Sequence, residues 1–154
     1  MRRILKRLVA VLCSVLLLDQ ASKAAVLLMM RPGSSIPIVS DFVRLTLVHN
    51  SGAAFGMLSG NNLPLAFTSV LAAAAVVFLI FRSKKTGDRF SVPLVFVLGG
   101  ALGNLVDRVR LGEVVDFIDM GWKLHRWPVY NVADVAITVG VVLFCYRSIF
   151  TSKA

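Results

Sequence analysis

Four apolar stretches constrain most strongly what this 154-residue chain can fold into. They run from Leu8 to Met30, Leu63 to Phe81, Val92 to about Val109, and Val132 to about Phe150. Each holds about 20 residues, enough to cross a hydrocarbon core of roughly 30 Å as a helix. A chain that is 57% hydrophobic, with a mean hydropathy of +0.80, exceeds what a soluble domain of this size uses. The expected fold is an all-α membrane protein with four transmembrane helices, at about 8–30, 63–81, 92–110 and 131–150. A small β-rich segment at about 31–62 and a loop at about 111–130 lie on the outer surface, in one membrane domain covering 1–154.

The start of the chain imitates a secretory signal. Arg2, Arg3, Lys6 and Arg7 precede the apolar run Leu8 to Leu18, and Ala21-Ser22-Lys23-Ala24 resembles a small-residue cleavage site. The apolar run resumes from Ala24 to Met30, so the expectation is a retained first span.

The net charge of +9 is distributed by topology, which argues against a nucleic-acid partner. Arg2, Arg3, Lys6, Arg7, Arg82, Lys84, Lys85, Arg89, Arg147 and Lys153 fall on one side of a four-span arrangement, with Asp88 as its acid. By the positive-inside rule that side is cytoplasmic, which places both termini there. The other seven acids fall on the outer side, balanced by seven basic residues. Basic inner loops follow from topology and anionic lipid. Acids gathered at the outer boundary do not, and chemistry is expected there.

Two of those acids stand in strongly apolar surroundings: Asp116 in Val114-Val115-Asp116-Phe117-Ile118, and Asp134 in Asn131-Val132-Ala133-Asp134. An ionised Asp at mid-helix costs roughly 2.5–3.5 kcal/mol on insertion scales, so an acid kept near that depth has a partner or a task. Two carboxylates at one boundary can share a proton, which is the chemistry of an aspartic protease. The alternative is that each caps or snorkels at a helix end. A small proton-linked transporter and a structural partner subunit remain as rival readings. Asp19 and Lys23 share a helix face at i and i+4 and can pair. Gly99 and Gly103 form a small-xxx-small seam, and Gly100, Asn104, Asp107 and Arg108 fall on one stripe of the third span. Phe42 to Val48 alternates and is β-branched, which predicts a strand on the outer surface. The small residues of His49-Asn50-Ser51-Gly52-Ala53-Ala54-Phe55-Gly56 permit close backbone approach. Trp122 and Trp127 fit an interfacial belt, with His125 between them. Cys13 and Cys145 read as buried packing residues, and His49 and His125 carry no assigned role.

Five segments, in this order, resemble the bacterial lipoprotein signal peptidase (signal peptidase II) family. They are Asp19-Gln20-x-x-Lys23, Asn50-x-Gly52-x-Ala54-Phe55, Gly99-Gly100-x-x-Gly103-Asn104-x-x-Asp107-Arg108, Val115-Asp116-Phe117 and Asn131-x-Ala133-Asp134. The departures are Tyr130, where the family usually has Phe, and Val135, where Ser is common. The resemblance implies a four-span aspartic endopeptidase of the bacterial inner membrane, with its site toward the outer face. It implies Asp116 and Asp134 as the catalytic pair, and Asp19, Lys23, Asn50, Gly52, Asn104, Arg108 and Asn131 as substrate-binding or supporting residues. It also implies diacylglyceryl prolipoproteins as substrates, cut just before the lipidated cysteine, with membrane lipid around the protein. Cyclic peptide antibiotics are implied as inhibitors, and a monomer as the working form. No cofactor, metal or nucleic acid is expected.

Overall fold

The computed structural model describes residues 2–52, 62–83 and 91–151. The expected small-residue turn at Ala53-Ala54-Phe55-Gly56 and the basic hairpin with Lys84, Lys85 and Arg89 lie outside the described residues, as does Lys153. Among the described residues there are four helices: α1 (Arg2–Met29), α2 (Asn62–Ser83), α3 (Ser91–Leu111) and α4 (Val132–Thr151). Their bounds follow the apolar runs, except that α1 begins six residues earlier than its run and takes in the basic start. α1, α3 and α4 are long and apolar enough to cross a membrane, while the apolar stretch within α2, Ser69–Arg82, is shorter.

α3 is the central helix and packs against α1, α2 and α4. Its glycines allow this. A Cβ at Gly100 would collide with the carbonyl oxygen of Ala133 on α4, and one at Gly103 would stand 2.5 Å from the Asp19 carboxylate on α1. The buried positions of α1, which are Leu8, Val15, Asp19, Lys23 and Val26, form one stripe along the helix. Two charged residues therefore belong to the face that meets the bundle. The opposite face, with Leu17, Leu18 and Leu28, is exposed, as membrane lipid would require.

Four strands form one antiparallel sheet in the order β1 (Ser35–Val39), β2 (Val43–Asn50), β3 (Val114–Trp122) and β4 (His125–Arg126). The β-rich segment after α1 thus takes half its sheet from residues 114–126, where a loop was expected. Register is set by pairs such as Val48 with Asp116 and Asn50 with Val114. Strand alternation then separates two faces of β3. Val115 and Phe117 enter a core with Val26, Met30 and Leu47, while Val114 and Asp116 face a cavity toward α3 and α4. A second network locks the sheet to the β3–β4 hairpin. Arg126 Nε donates to Asp119 Oδ1 at 2.7 Å, Thr46 Oγ1 donates to Asp119 Oδ2 at 2.7 Å, and Arg44 pairs with Asp41.

Cys13 and Cys145 differ from expectation. Both are exposed on the outer faces of their helices rather than packed inside. A membrane helix presents apolar side chains outward as well as inward, so apolar character alone does not mark the core.

Candidate active site

The site is assembled where the start of α4 meets α1, α3 and the sheet. Asn131 is the residue just before α4 and is fully buried. Its Oδ1 accepts the Asp134 backbone N–H at 3.0 Å, while its own backbone N–H donates to Asp134 Oδ2 at 3.1 Å. This is a reciprocal capping box with Asn at the cap and Asp three residues on. Capping fixes Asp134 in the first turn of α4, where its other oxygen accepts from Asn104. A third donor at the helix start, Ala133 N–H, is met by Asp19 Oδ1 at 2.9 Å from α1.

The Asn131 amide then has Nδ2 to spare. It donates to Asp116 Oδ1 at 2.7 Å and to Asn104 Oδ1 at 3.1 Å. Asn104 Nδ2 donates to Asp134 Oδ1 at 2.9 Å. Asn50 Nδ2, at the end of β2, donates to Asp116 Oδ2 at 2.8 Å, and its Oδ1 accepts the Gly52 N–H at 3.0 Å. All four oxygens of Asp116 and Asp134 therefore accept from amide N–H groups, and Asn131 bridges the two acids directly.

Beneath them lies a buried ionic cluster. Lys23 Nζ reaches Asp19 Oδ2 at 2.9 Å, Asp107 Oδ2 at 2.7 Å and Asn104 Oδ1 at 3.0 Å. Gln20 Nε2 donates to Asp107 Oδ1 at 2.9 Å and to Asp19 Oδ2 at 3.1 Å, and Val115 N–H donates to Asp107 Oδ2 at 3.3 Å. Asp19 and Lys23 are only 0% and 2% exposed, so their pairing lies within the core. Buried charges at such sites are tolerable because every one is paired and hydrogen-bonded. Asp107 and Gln20 belong to this cluster although neither is among the candidate site residues from the sequence. Asp107 follows Asn104 by three residues, and that spacing was the available signal.

A cavity of about 360 Å³ opens on Asp116 and Asp134 and is also lined by Asn50, Gly52, Asn104 and Arg108. The half-buried Arg108 interacts electrostatically with Asp116, Asp134 and Asp107, and its Nη1 lies 3.4 Å from Ser69 Oγ on α2. Seven of the nine residues read from the sequence as site residues thus line one cavity or bridge its acids. The other two, Asp19 and Lys23, support them from below. His49 lies against Glu113 near the end of β2, and His125 is exposed on β4.

Burial raises the pKa of Asp116, which lies on β3 outside the helical spans. The hydrogen bond from Asn50 opposes the rise, the nearby Asp134 charge adds to it, and the result is a carboxyl pushed up to about 6. The arrangement can therefore hold a proton on one of two carboxyls at mildly acidic pH and present both to a substrate in the cavity.

Residues 11–150 match the family model for signal peptidase (SPase) II. A lipoprotein signal peptidase of Desulforapulum autotrophicum is 40% identical over 153 residues, covering 96% of this chain and 94% of that protein. Another, from Geobacter metallireducens, is 44% identical over 131 residues, covering 83% of this chain and 81% of that protein. Two solved structures described as bacterial membrane enzymes determined by the in meso method are each 30% identical. The first superposes with a TM-score of 0.87 over 96% of this chain and 90% of that chain, the second with 0.82 over 94% of each. The chain belongs to the signal peptidase II family, aspartic membrane peptidases that remove signal peptides from prolipoproteins.

Proposed function

We propose that Asp116 and Asp134 are the catalytic pair of this peptidase. The substrate is a diacylglyceryl prolipoprotein, cut just before the lipidated cysteine. The observation that carries the assignment is the bridging of the two acids by Asn131 beside a cavity that holds Arg108, Asn104 and Asn50. One carboxylate removes a proton from water, whose oxygen attacks the scissile carbonyl carbon. The other carboxyl, protonated, hydrogen-bonds the carbonyl oxygen and stabilises the charge that develops on it. Collapse of the tetrahedral intermediate breaks the C–N bond, and the proton taken from water passes to the leaving nitrogen. Burial raises the Asp116 carboxyl to about 6, which favours a shared proton resting on its side of the pair. Asp134 then acts as the base, placed in the first turn of α4 where negative charge is favoured.

Four spans with both termini cytoplasmic, a site toward the outer face of the bacterial inner membrane, and a monomeric working form complete this reading. The topology rests on the one-sided distribution of basic residues and the outer clustering of acids. A substrate whose signal helix and acyl chains already lie in the bilayer needs a site reachable laterally.

The experiment is cleavage of a diacylglyceryl prolipoprotein by Asp116→Asn and Asp134→Asn in membranes. Each change should lower the rate by roughly 100- to 10,000-fold while the protein still accumulates. Near-normal processing by either variant removes that residue from the pair.

A further inference from the structure

Asn50 reaches Asp116 from the least supported end of the sheet. The β2–β3 ladder shifts register between Leu45 and Val48, so three rungs stand apart from the rest: Val48 with Asp116, His49 with Val115 and Asn50 with Val114. β1 does not extend to them. Its pairing with β2 ends at Ser35 and Thr46, and beyond it Leu47 bonds to Gly33 and Ser34. Asn50 closes the ladder, and the ends of short ladders are the first parts of a sheet to open. Yet its Nδ2 stands 2.8 Å from Asp116 Oδ2.

His49 and Glu113 meet at this end of the ladder. His49 Nδ1 is shut off from solvent, and the facing Glu113 Oε1 is its partner among the described residues. Each residue stands one place before a member of the last rung, His49 before Asn50 and Glu113 before Val114. Successive strand side chains alternate between faces, so His49 points away from the face on which Asn50 meets Asp116. Neither His49 nor Glu113 lines the catalytic cavity. Glu113 also follows the end of α3 by two residues. Gly112, with a φ of 79°, turns the chain out of that helix, and its N–H donates to Arg108 O at 3.1 Å. The pair therefore ties the end of β2 to the exit of the helix that carries Asn104, Asp107 and Arg108. Opposite charges across two strands hold them together.

We propose, on the reading of Asp116 as one of the acid pair, that His49 and Glu113 form a clasp that holds Asn50 against Asp116. His49 and Glu113 are then positioning residues for the peptidase reaction. With the clasp closed, the Asn50 amide meets the carboxylate in one geometry. With it open, the last rung frays and the amide leaves Asp116 for part of the time. The Asn50 hydrogen bond favours the ionised carboxyl, so an open clasp lets Asp116 keep its proton to higher pH. The other charged groups acting on Asp116 are Asp134 on α4, Lys23 on α1 and Arg108 on α3, and the clasp pairs with none of them.

The Asp116 proton can be read directly. The full-length protein, carrying carbon-13 at its aspartate carboxyls and held in lipid nanodiscs, is titrated by NMR, and Asp116→Asn assigns the Asp116 signal. His49→Ala and Glu113→Ala should each raise the Asp116 midpoint by about half to one pH unit, up to roughly a tenfold change in the proton equilibrium. Charge removal alone does not do this from both sides: loss of the Glu113 charge would by itself lower the midpoint, since a neighbouring negative charge opposes ionisation. Neither change should add to the rise caused by Asn50→Ala, because the clasp acts through that amide. Shifts of opposite sign, an unmoved midpoint, or a shift that persists alongside Asn50→Ala each overturn the proposal. A lower Tm with an unmoved midpoint leaves the pair a purely structural role and also overturns it. The titration needs no substrate, so failure of the unmodified protein to cleave a prolipoprotein would remove the peptidase reading instead, which separates the two.

Discussion

At the scale of single residues, Asp116 is the group whose proposed role is open to test by pH. Its carboxyl is raised to about 6, so it holds its proton below that value and loses it above. If that proton is needed at the substrate carbonyl, kcat/KM should fall about tenfold per pH unit above pH 6. The limb belongs to the coupled pair rather than to one residue. A profile that rises through that range would give Asp116 the role of base. Asn50 sharpens the test. Its hydrogen bond favours the ionised carboxylate and lowers the pKa. Asn50→Ala should therefore move the falling limb to higher pH, and a limb that stays fixed or moves down would show that Asn50 does not act on Asp116. Lys23 works one layer below, through the Asn104 oxygen that also receives Asn131. The candidacy of Asp116 was legible because an acid inside an apolar pentapeptide is costly. Its partners Asn50 and Asn131 were not legible from cost, since amides are unremarkable in loops. They came to notice through the family resemblance.

At the scale of elements, the start of α4 is the organising feature. Asn131-x-x-Asp134 is a local capping box, and Asp19 supplies a further cap from a helix more than 100 residues away in sequence. Asn131→Ala should cost about 0.5–2 kcal/mol from the lost cap, visible as a lower Tm. It should also lower kcat more than that loss predicts, because Asp116 and Asn104 lose the same amide. A Tm shift with unchanged kcat would reduce Asn131 to a cap. The contact of Gly103 with Asp19 predicts that Gly103→Val overpacks the α1–α3 seam, at about 1–3 kcal/mol, and displaces Asp19 from α4. The helices were readable to within a few residues, apart from the earlier start of α1, because runs of about 20 apolar residues have one ready solution in a bilayer. β3 was not. Val114 to Phe117 is buried on both faces, so it lacks the alternation that marks a half-exposed strand. The segment at 43–48 showed that alternation and was expected as a strand.

At the scale of the whole molecule, topology remains the main expectation to measure. With Cys13 and Cys145 replaced, Lys123→Cys in the β3–β4 hairpin should react with a membrane-impermeant maleimide added to spheroplasts. Lys6→Cys should react only after the membrane is opened. The reverse pattern would invert the protein and put its acids on the cytoplasmic side. EDTA should leave cleavage intact, since the four oxygens of the acid pair are turned to amide donors. Inhibition relieved by added metal would require a different mechanism.

The sequence by itself determined that the chain belongs in a membrane, where its long helices fall, and which acids stand in costly apolar surroundings. Those properties depend on local hydropathy and on the energy of single charges, which need no partner to be known. Only the tertiary structure decided that Asn131 bridges the acids and that Asp107 and Gln20 complete the Lys23 cluster. Each of these depends on groups brought together from distant parts of the chain by the close approach of α1, α3 and α4. No local pattern encodes that approach until the backbones pack against the α3 glycines.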